Sequence, residues 1–133
     1  MGYYSEVMIS VTKKGYERIK KDQEKFDDYE LLNLFEVKNF EKNNKSFVLL
    51  QTEDTIKYYP EFEDIKQLEK TLSNLKDGYV FVRLGEEYGD IEFRNNAKVK
   101  ELLEPFDFIK KLYNLKSKCA KIQLYKDIPL SGG

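Results

Sequence analysis

The first twelve residues constrain the fold most, because an alternating strand there runs directly into a helix start. Val7, Ile9 and Val11 share one face, as the two-residue period of a strand requires. Thr12 is a good helix N-cap, and apolar side chains recur at helical spacing behind it. We therefore predict a strand over residues 1–12, followed by a helix. A strand in this position is best used inside a sheet, with other strands paired against it.

Three more strands and a second helix are predicted downstream. Apolar runs indicate strands at residues 35–41, 46–52 and 79–84. The turn signal Asn43-Asn44 makes the first two of these a hairpin. An apolar stripe over residues 61–75, with acidic residues in its first turn and Gly78 beyond its end, predicts the clearest helix of the chain.

The predicted order β-α-β-β-α-β is typical of a ferredoxin-like α+β fold. In that fold the helices lie on one face of the sheet, and the first and third strands lie in the middle. The C-terminal third adds short strands at residues 91–93 and 122–125 and a helix at 98–117 that Pro105 interrupts. We expect these elements to pack on the edge or end of the sheet. With 133 residues the chain has room for one core. We predict a single domain over 1–128 and a flexible tail over 129–133.

Composition argues against catalysis. The chain has no His, which is the commonest general base and metal ligand, and its only Cys is Cys119. Lysines near Cys119 favour a thiolate, but a nucleophile also needs a base and an orienting group. A semi-buried strand thiol is the simpler interpretation. We expect no enzymatic activity, no metal and no cofactor.

The N-terminus and the hydropathy indicate a cytoplasmic protein. No apolar run approaches the ~20 residues that a membrane-spanning helix needs, and the start does not match a secretory signal. Gly2 begins a segment like a myristoylation signal, but Glu6 stands where Ser or Thr is required. A lone Cys fits a reducing compartment. We expect no membrane partner.

Charge is unevenly distributed although the net charge is only −1. Acidic residues concentrate in segments 53–64 and 86–92, whereas 108–126 carries lysines and no acid, most simply a solvated helix face. Tyrosines accompany the acidic segments, and aromatic side chains combined with charge make interface anchors. We predict a partner-binding surface formed by Tyr58, Tyr59, Glu61, Glu63, Asp64, Glu86, Glu87, Tyr88, Asp90 and Glu92.

The acidic loop 85–92 has three interpretations. Its carboxylates suit a hard cation such as Ca²⁺ or Mg²⁺, but the alternate-position spacing of an EF-hand is missing. A solvated loop is the simplest interpretation. The third is a negative surface that imitates nucleic-acid phosphates toward a basic groove of a partner.

Residues 77–84 partly match the RNA-recognition signature in which sheet aromatics stack on bases. Asp77, Val80 and Leu84 replace its basic, small and final aromatic positions. The strand also follows the second helix, whereas the signature belongs to the strand before it. Direct RNA binding is therefore disfavoured. The C-terminal Gly132-Gly133 is like the terminus of ubiquitin-like modifiers, but a disordered tail is the default interpretation.

Three blocks carry a family resemblance: MGYYSEV (1–7), IKYYPEFEDIKQLEKTL (56–72) and YVFVRLGEEYGDIE (79–92). Together they resemble small proteins encoded by bacteriophages and mobile elements of low-GC bacteria. The likeness covers about residues 1–94 and brings no catalytic motif. Such a source implies a protein that acts on host defence inside the bacterial host cell.

Two functions are therefore expected as alternatives. In the first, the protein is a non-catalytic, anti-CRISPR-like inhibitor that binds a bacterial defence effector through its acidic and aromatic surface. In the second, it sequesters a nucleotide signal of a defence system, with lysines and Tyr3, Tyr4 or Tyr79 holding phosphate and base. The sequence leaves the partner, a cation in the acidic loop, the oligomeric state and the role of the tail open.

Overall fold

A computed structural model describes residues 2–106, which form an α+β unit with a five-stranded antiparallel sheet. In chain order the strands and α-helices are β1 (Ser5–Thr12), α1 (Lys13–Gln23), β2 (Phe35–Lys42), β3 (Lys45–Thr52), α2 (Glu63–Ser73), β4 (Val80–Gly85) and β5 (Ile91–Asn95). Three 3₁₀ segments, Asp27–Tyr29, Leu32–Leu34 and Lys100–Phe106, complete this part of the chain.

β1 is the central strand of the sheet, whose order is β2-β3-β1-β4-β5. Ser5 lies opposite Gly85 of β4 at one end of β1, and Thr12 lies opposite Phe47 of β3 at the other. The predicted interior position of the first strand is confirmed. β5 pairs with β4 and adds a fifth strand at that edge, two residues longer than the predicted 91–93 segment.

Local sequence accounts for the helix and turn boundaries. The Thr12 hydroxyl accepts a hydrogen bond from the Gly15 N–H at 3.1 Å and so caps α1. Asn43 and Asn44 have φ of 53° and 63°, the left-handed conformation that a two-residue hairpin turn requires. Gly78, at φ 76°, makes the turn between α2 and β4.

The two α-helices cover the face of β1 that carries Val7, Ile9 and Val11. Ile19 of α1 and Leu68 of α2 are fully buried in the same cluster. This agrees with the predicted placement of both helices on one face. Burial of these side chains provides the main stabilisation of the sheet.

The second face of the sheet is covered as well, by the 3₁₀ segment Lys100–Phe106. Leu102 and Phe106 are fully buried there against Met8 and Val80. For residues 100–106 the prediction of a helix on the edge or end of the sheet is wrong. The physical reason is that β1, β3 and β4 each place apolar side chains on the second face, among them Met8, Phe47 and Val82, so an uncovered second face would expose an apolar surface.

Several predictions lie outside the described residues. They are the helix beyond Phe106, the strand at 122–125, Cys119, most of the lysine-rich segment and the tail at 129–133. Within residues 2–106, no helix has the length and apolar character needed to cross a membrane.

Candidate partner-binding surface

Tyr3 joins the two acidic segments of the sequence at one end of β1. Its backbone N–H donates to the Tyr59 hydroxyl at 2.6 Å, and its own hydroxyl donates to the Asp90 carboxylate at 2.5 Å. The same hydroxyl accepts the Glu87 N–H at 3.0 Å. One residue, through its backbone N–H and its hydroxyl, therefore connects residues that are 56 and 87 positions away. The hydrogen bond to Asp90 raises the pKa of Tyr3, which keeps the hydroxyl protonated as a donor.

Gly85 makes this approach possible. A Cβ at this position would lie 2.0 Å from Asp90 Oδ2 and 2.3 Å from Tyr3 Oη, distances that no side chain can occupy. The end of β4 therefore has no side chain at the point where the Tyr3 hydroxyl approaches the loop that follows this strand. Tyr4 continues the contact, since its N–H donates to Glu86 Oε1 at 2.9 Å and Lys57 Nζ lies 5.7 Å from its ring centre.

The exposed part of this region carries both charge and aromatic side chains. Tyr88, Phe62 and Tyr4 are 74%, 41% and 37% exposed. Glu61, Glu63, Glu86 and Glu87 are also exposed, and Tyr59 is half-buried with its ring centre 5.1 Å from that of Phe62. We call this set the acidic–aromatic surface: Tyr4, Tyr59, Glu61, Phe62, Glu63, Glu86, Glu87 and Tyr88.

Beside the acidic–aromatic surface, two arginines bind three carboxylates. Arg83 contacts Asp90 and Glu92, each at 3.0 Å. Arg94 binds Glu69 through two nitrogens at 2.7 and 2.8 Å and contacts Glu92 at 3.2 Å. Bidentate guanidinium–carboxylate pairs of this kind fix orientation as well as charge. These side chains form a half-buried ion-pair chain along the β4–β5 hairpin.

The register of the hairpin produces this chain. Arg83 lies opposite Glu92, and Phe81 lies opposite Arg94. The guanidinium carbon of Arg94 is 3.8 Å from the centre of the Phe81 ring, so the ring supports the cation from one side. α2 supplies Glu69 from above the same sheet face.

The pKa values of the network follow from these contacts. The Arg83 guanidinium holds the pKa of Asp90 below its usual range. Burial raises the pKa of Glu69, but hydrogen bonds from Arg94 and Tyr58 outweigh burial, so the net shift is downward. Burial, and then the neighbouring Glu69, raise the pKa of Tyr58 well above 10. All three groups are therefore held in the form that the network needs at neutral pH.

The structure divides the predicted partner-binding residues into two groups. Glu61, Glu63, Glu86, Glu87 and Tyr88 are exposed, whereas Tyr58, Tyr59, Asp64, Asp90 and Glu92 are half-buried. Tyr58 donates to Glu69 at 2.5 Å, and the Asp64 carbonyl accepts from Gln23. Asp90 and Glu92 are engaged by Arg83. The hydrogen bonds and ion pairs of the half-buried group therefore hold this region in place, while the exposed group lies at the surface.

Sequence reasoning missed Glu69, Arg83 and Arg94, which organise the half-buried part of the site. The apolar patterns predict a strand at 79–84 and a helix over 61–75, and they assign no role to these three side chains. One signal was present: Arg83 and Glu92 are placed symmetrically about the loop 85–90, so a tight hairpin would bring opposite charges together. The bidentate pair between Arg94 and Glu69 joins separate elements and has no local sequence signal.

The structure also bears on the RNA-binding, nucleotide-binding and metal-binding alternatives. Phe81 and Tyr79, the aromatics of the RNA-recognition-like strand, are 0% and 6% exposed and cannot stack on bases as they stand. The Tyr79 hydroxyl accepts from Asn96 at 2.8 Å, so it is not a free nucleotide contact. Within residues 2–106, no group of three or more Asp, Glu, Cys or His side chains is placed to hold a metal ion.

Comparison of the chain with protein-family models, curated protein sequences and solved structures finds no match. The acidic–aromatic surface presents exposed carboxylates and aromatic rings on a fixed support, which suits recognition of a cationic surface.

Proposed function

We propose that this protein is a non-catalytic inhibitor that binds the basic nucleic-acid groove of a bacterial defence effector, in the manner of an anti-CRISPR protein. The observation that carries the proposal is the position of Tyr3, which holds two sequence-distant acidic segments in one surface. A surface fixed in advance loses little conformational entropy when a partner binds.

The charges of the acidic–aromatic surface are available to a partner. Glu61, Glu86 and Glu87 are exposed and have no ion-pair partner among residues 2–106, and Glu63 has only the exposed Lys66 at 3.2 Å. Exposed pairs of this kind are weak and exchange readily. Carboxylates arranged on a rigid support can take the place of nucleic-acid phosphates in a lysine- and arginine-lined groove.

The aromatic residues supply the apolar part of the interaction. Tyr4, Phe62 and Tyr88 present large rings at the surface, and such residues account for much of the binding energy of protein interfaces. A purely acidic patch would bind many cationic surfaces. Rings interleaved with the carboxylates allow a specific protein partner to be selected, which favours an inhibitor over a nonspecific polyanion.

Two wider assignments belong to the same proposal. The order β1-α1-β2-β3-α2-β4, together with antiparallel neighbours in the order β2-β3-β1-β4, supports a ferredoxin-like arrangement extended by β5. The resemblance to bacteriophage and mobile-element proteins supports action in the cytoplasm of the bacterial host cell.

A phage-interference assay tests the proposal. A low-GC bacterium with an active CRISPR system is challenged with a targeted phage while it expresses the protein. We expect plaque formation to rise toward that of a strain without the system. Glu86→Lys/Glu87→Lys should abolish the rise, and Glu36→Lys/Glu41→Lys, an equal charge change on the exposed β2 edge, should preserve it. No rise with the wild-type protein would contradict the proposal.

A further inference from the structure

We propose that the outer edge of β2 pairs with the same edge of a second copy of this chain, so that two five-stranded sheets become one continuous sheet. β2 begins the order β2-β3-β1-β4-β5 and pairs with β3 alone among the strands of residues 2–106. β3 and β1 separate this edge from β4, whose following loop carries Glu86 and Glu87. A second copy at β2 therefore leaves the acidic–aromatic surface of each chain available.

The β2–β3 turn determines which backbone groups of β2 face outward. Asn43 and Asn44 form a two-residue turn, and the pair that flanks such a turn, Lys42 and Lys45, is hydrogen-bonded. Hydrogen-bonded and non-hydrogen-bonded pairs alternate along an antiparallel ladder, so every second residue of β2 points its N–H and C=O away from β3. These residues are Phe35, Val37, Asn39 and Glu41. Their outward groups have no hydrogen-bond partner within residues 2–106 and can template a further strand.

β2 lacks most of the features that keep sheet edges from pairing. Protected edges are usually short, contain Pro or carry a bulge. β2 has eight residues and no Pro, and its one-to-one register with β3 leaves no room for a bulge. Val37 is 39% exposed on this strand, and Leu34, directly before it, is 45% exposed. The opposite edge strand, β5, has five residues, and its Glu92 and Arg94 are bound in the ion-pair chain.

The charges of β2 are complementary to those of a second β2 in one antiparallel register. When the two-fold axis passes at Val37, Glu36 of each chain lies opposite Lys38 of the other. Unlike charges in directly opposed positions stabilise a pair of strands, and the two exposed Val37 side chains cover each other. Within one chain, Lys38 Nζ lies 3.8 Å from Glu36 Oε1, and both side chains are exposed. Such a pair is weak, so both side chains can turn to the second copy.

Other symmetric registers are less favourable. An axis at Glu36 or at Lys38 places that residue opposite its own copy, which brings like charges together. An axis at Asn39 places Val37 opposite Glu41, so the apolar side chain gains no apolar neighbour. The change of sign across Val37 therefore favours a second copy of this chain over an unrelated strand, because two-fold symmetry by itself supplies both complementary charges.

Sedimentation velocity of the full-length protein tests the proposal. From about 5 to about 500 μM, we expect the average mass to rise from that of one chain toward that of two, with a Kd on the order of 10–100 μM, as for a small interface. A wild-type protein that stays monomeric across this range would overturn the proposal, including the case in which residues 107–133 of the same chain cover the edge.

Charge reversals test the register. Glu36→Lys and Lys38→Glu should each weaken self-association by at least about tenfold, because like charges then oppose each other across the axis. An equimolar mixture of the two variants should regain the wild-type Kd to within about threefold, because unlike charges face each other at both positions. Loss of the Glu36–Lys38 contact within one chain cannot produce this recovery. Association that neither variant changes, or no recovery on mixing, would overturn the proposal.

Val37→Pro tests the backbone pairing separately. It removes the outward N–H of residue 37 and leaves the ladder to β3 intact, because that N–H points away from β3. We expect self-association to weaken by at least about tenfold, and by less than about threefold in Val37→Thr, a β-branched control that keeps the N–H. Equal effects of the two variants would show that the β2 edge does not pair.

The dimer is not required for the proposed function, because each chain carries a complete acidic–aromatic surface. Glu36→Lys/Glu41→Lys, the control of the interference assay, should self-associate at least about tenfold more weakly than the wild type while it still raises plaque formation. Wild-type self-association in this variant would contradict pairing through the β2 edge.

Discussion

At the residue scale, Tyr3 holds the acidic loop because its hydroxyl is both a donor and an acceptor. It donates to Asp90 and accepts the Glu87 N–H, so it contributes two of the contacts that fix residues 86–90. Gly85 leaves the space in which these atoms meet. The arrangement is specific to tyrosine, because phenylalanine fills the same volume without either hydrogen bond.

We predict that Tyr3→Phe frees the acidic loop without unfolding the domain. Hydrogen–deuterium exchange of the Glu87 amide should become several-fold faster, because the acceptor of that amide is removed. Tyr16→Phe, a half-buried tyrosine of α1, is the control and should leave this rate unchanged. An unchanged exchange rate in Tyr3→Phe would show that the loop is held by other contacts.

Arg94 is the residue whose loss should cost the most within the ion-pair chain. Arg94→Gln leaves the half-buried Glu69 without its bidentate partner, and we expect the free energy of unfolding to fall by about 2–3 kcal/mol. Arg18→Gln is the matched control, since the Arg18 side chain that pairs with Asp22 is 61% exposed and its loss should cost at most about 0.5 kcal/mol. Urea denaturation measures both. Similar values for the two variants would contradict a structural role for Arg94.

At the element scale, β1 explains why both sheet faces need a cover. Val7, Ile9 and Val11 are buried under the two α-helices on one side, and Met8 is buried in the cluster with Lys100–Phe106 on the other. A strand buried on both faces excludes solvent from its hydrogen bonds as well as from its side chains. Removal of either cover exposes apolar area from the centre of the sheet.

We predict that Leu102→Ala destabilises the protein by about 2–4 kcal/mol, because it leaves a cavity under a fully buried position. Leu103→Ala in the same segment should cost at most about 1.5 kcal/mol, because Leu103 is partly exposed. Thermal or urea unfolding of the two variants measures the difference. Equal costs would show that Lys100–Phe106 does not pack on the sheet as described.

The elements were more predictable than their contacts. The order of elements through β4, the Asn43–Asn44 turn and the central position of β1 follow from alternation, helical spacing and turn chemistry, all of which are local. The packing of residues 100–106 on the second face of the sheet does not follow from local sequence, because Leu102 and Phe106 form an apolar pattern that fits several packing positions. The bond from Tyr3 to Asp90 joins residues 87 positions apart, and no local pattern encodes that contact.

At the scale of the whole molecule, exposed carboxylates concentrate at one end of β1. The acidic–aromatic surface lies at the end where Ser5 pairs with Gly85. A net charge of −1 conceals this concentration. Under the proposed function, a partner with a basic groove is drawn toward this end of the molecule.

Acid should lower the free energy of unfolding, because it protonates the carboxylates of the ion-pair chain. The pKa values of Asp90 and Glu69 are lowered in the folded state, so the unfolded state binds more protons as the pH falls below about 4. The stability that these carboxylates contribute is present above that pH and lost as the pH falls through their folded-state pKa values. The pH dependence of urea unfolding should be shallower in Arg94→Gln. If the wild-type protein and Arg94→Gln lost stability identically with falling pH, the lowered pKa of Glu69 would be contradicted.

The most direct test of the proposed inhibitor is competition for a basic groove. Fluorescence anisotropy follows labelled duplex DNA bound to a purified Cas9-type RNA-guided nuclease as the protein is added. We expect wild-type protein to displace the DNA. Glu86→Lys/Glu87→Lys should raise the concentration required by about a hundredfold, and the β2-edge control Glu36→Lys/Glu41→Lys should change it less than about twofold. Failure of the wild-type protein to displace the DNA, or equal displacement by both variants, would contradict binding through the acidic–aromatic surface.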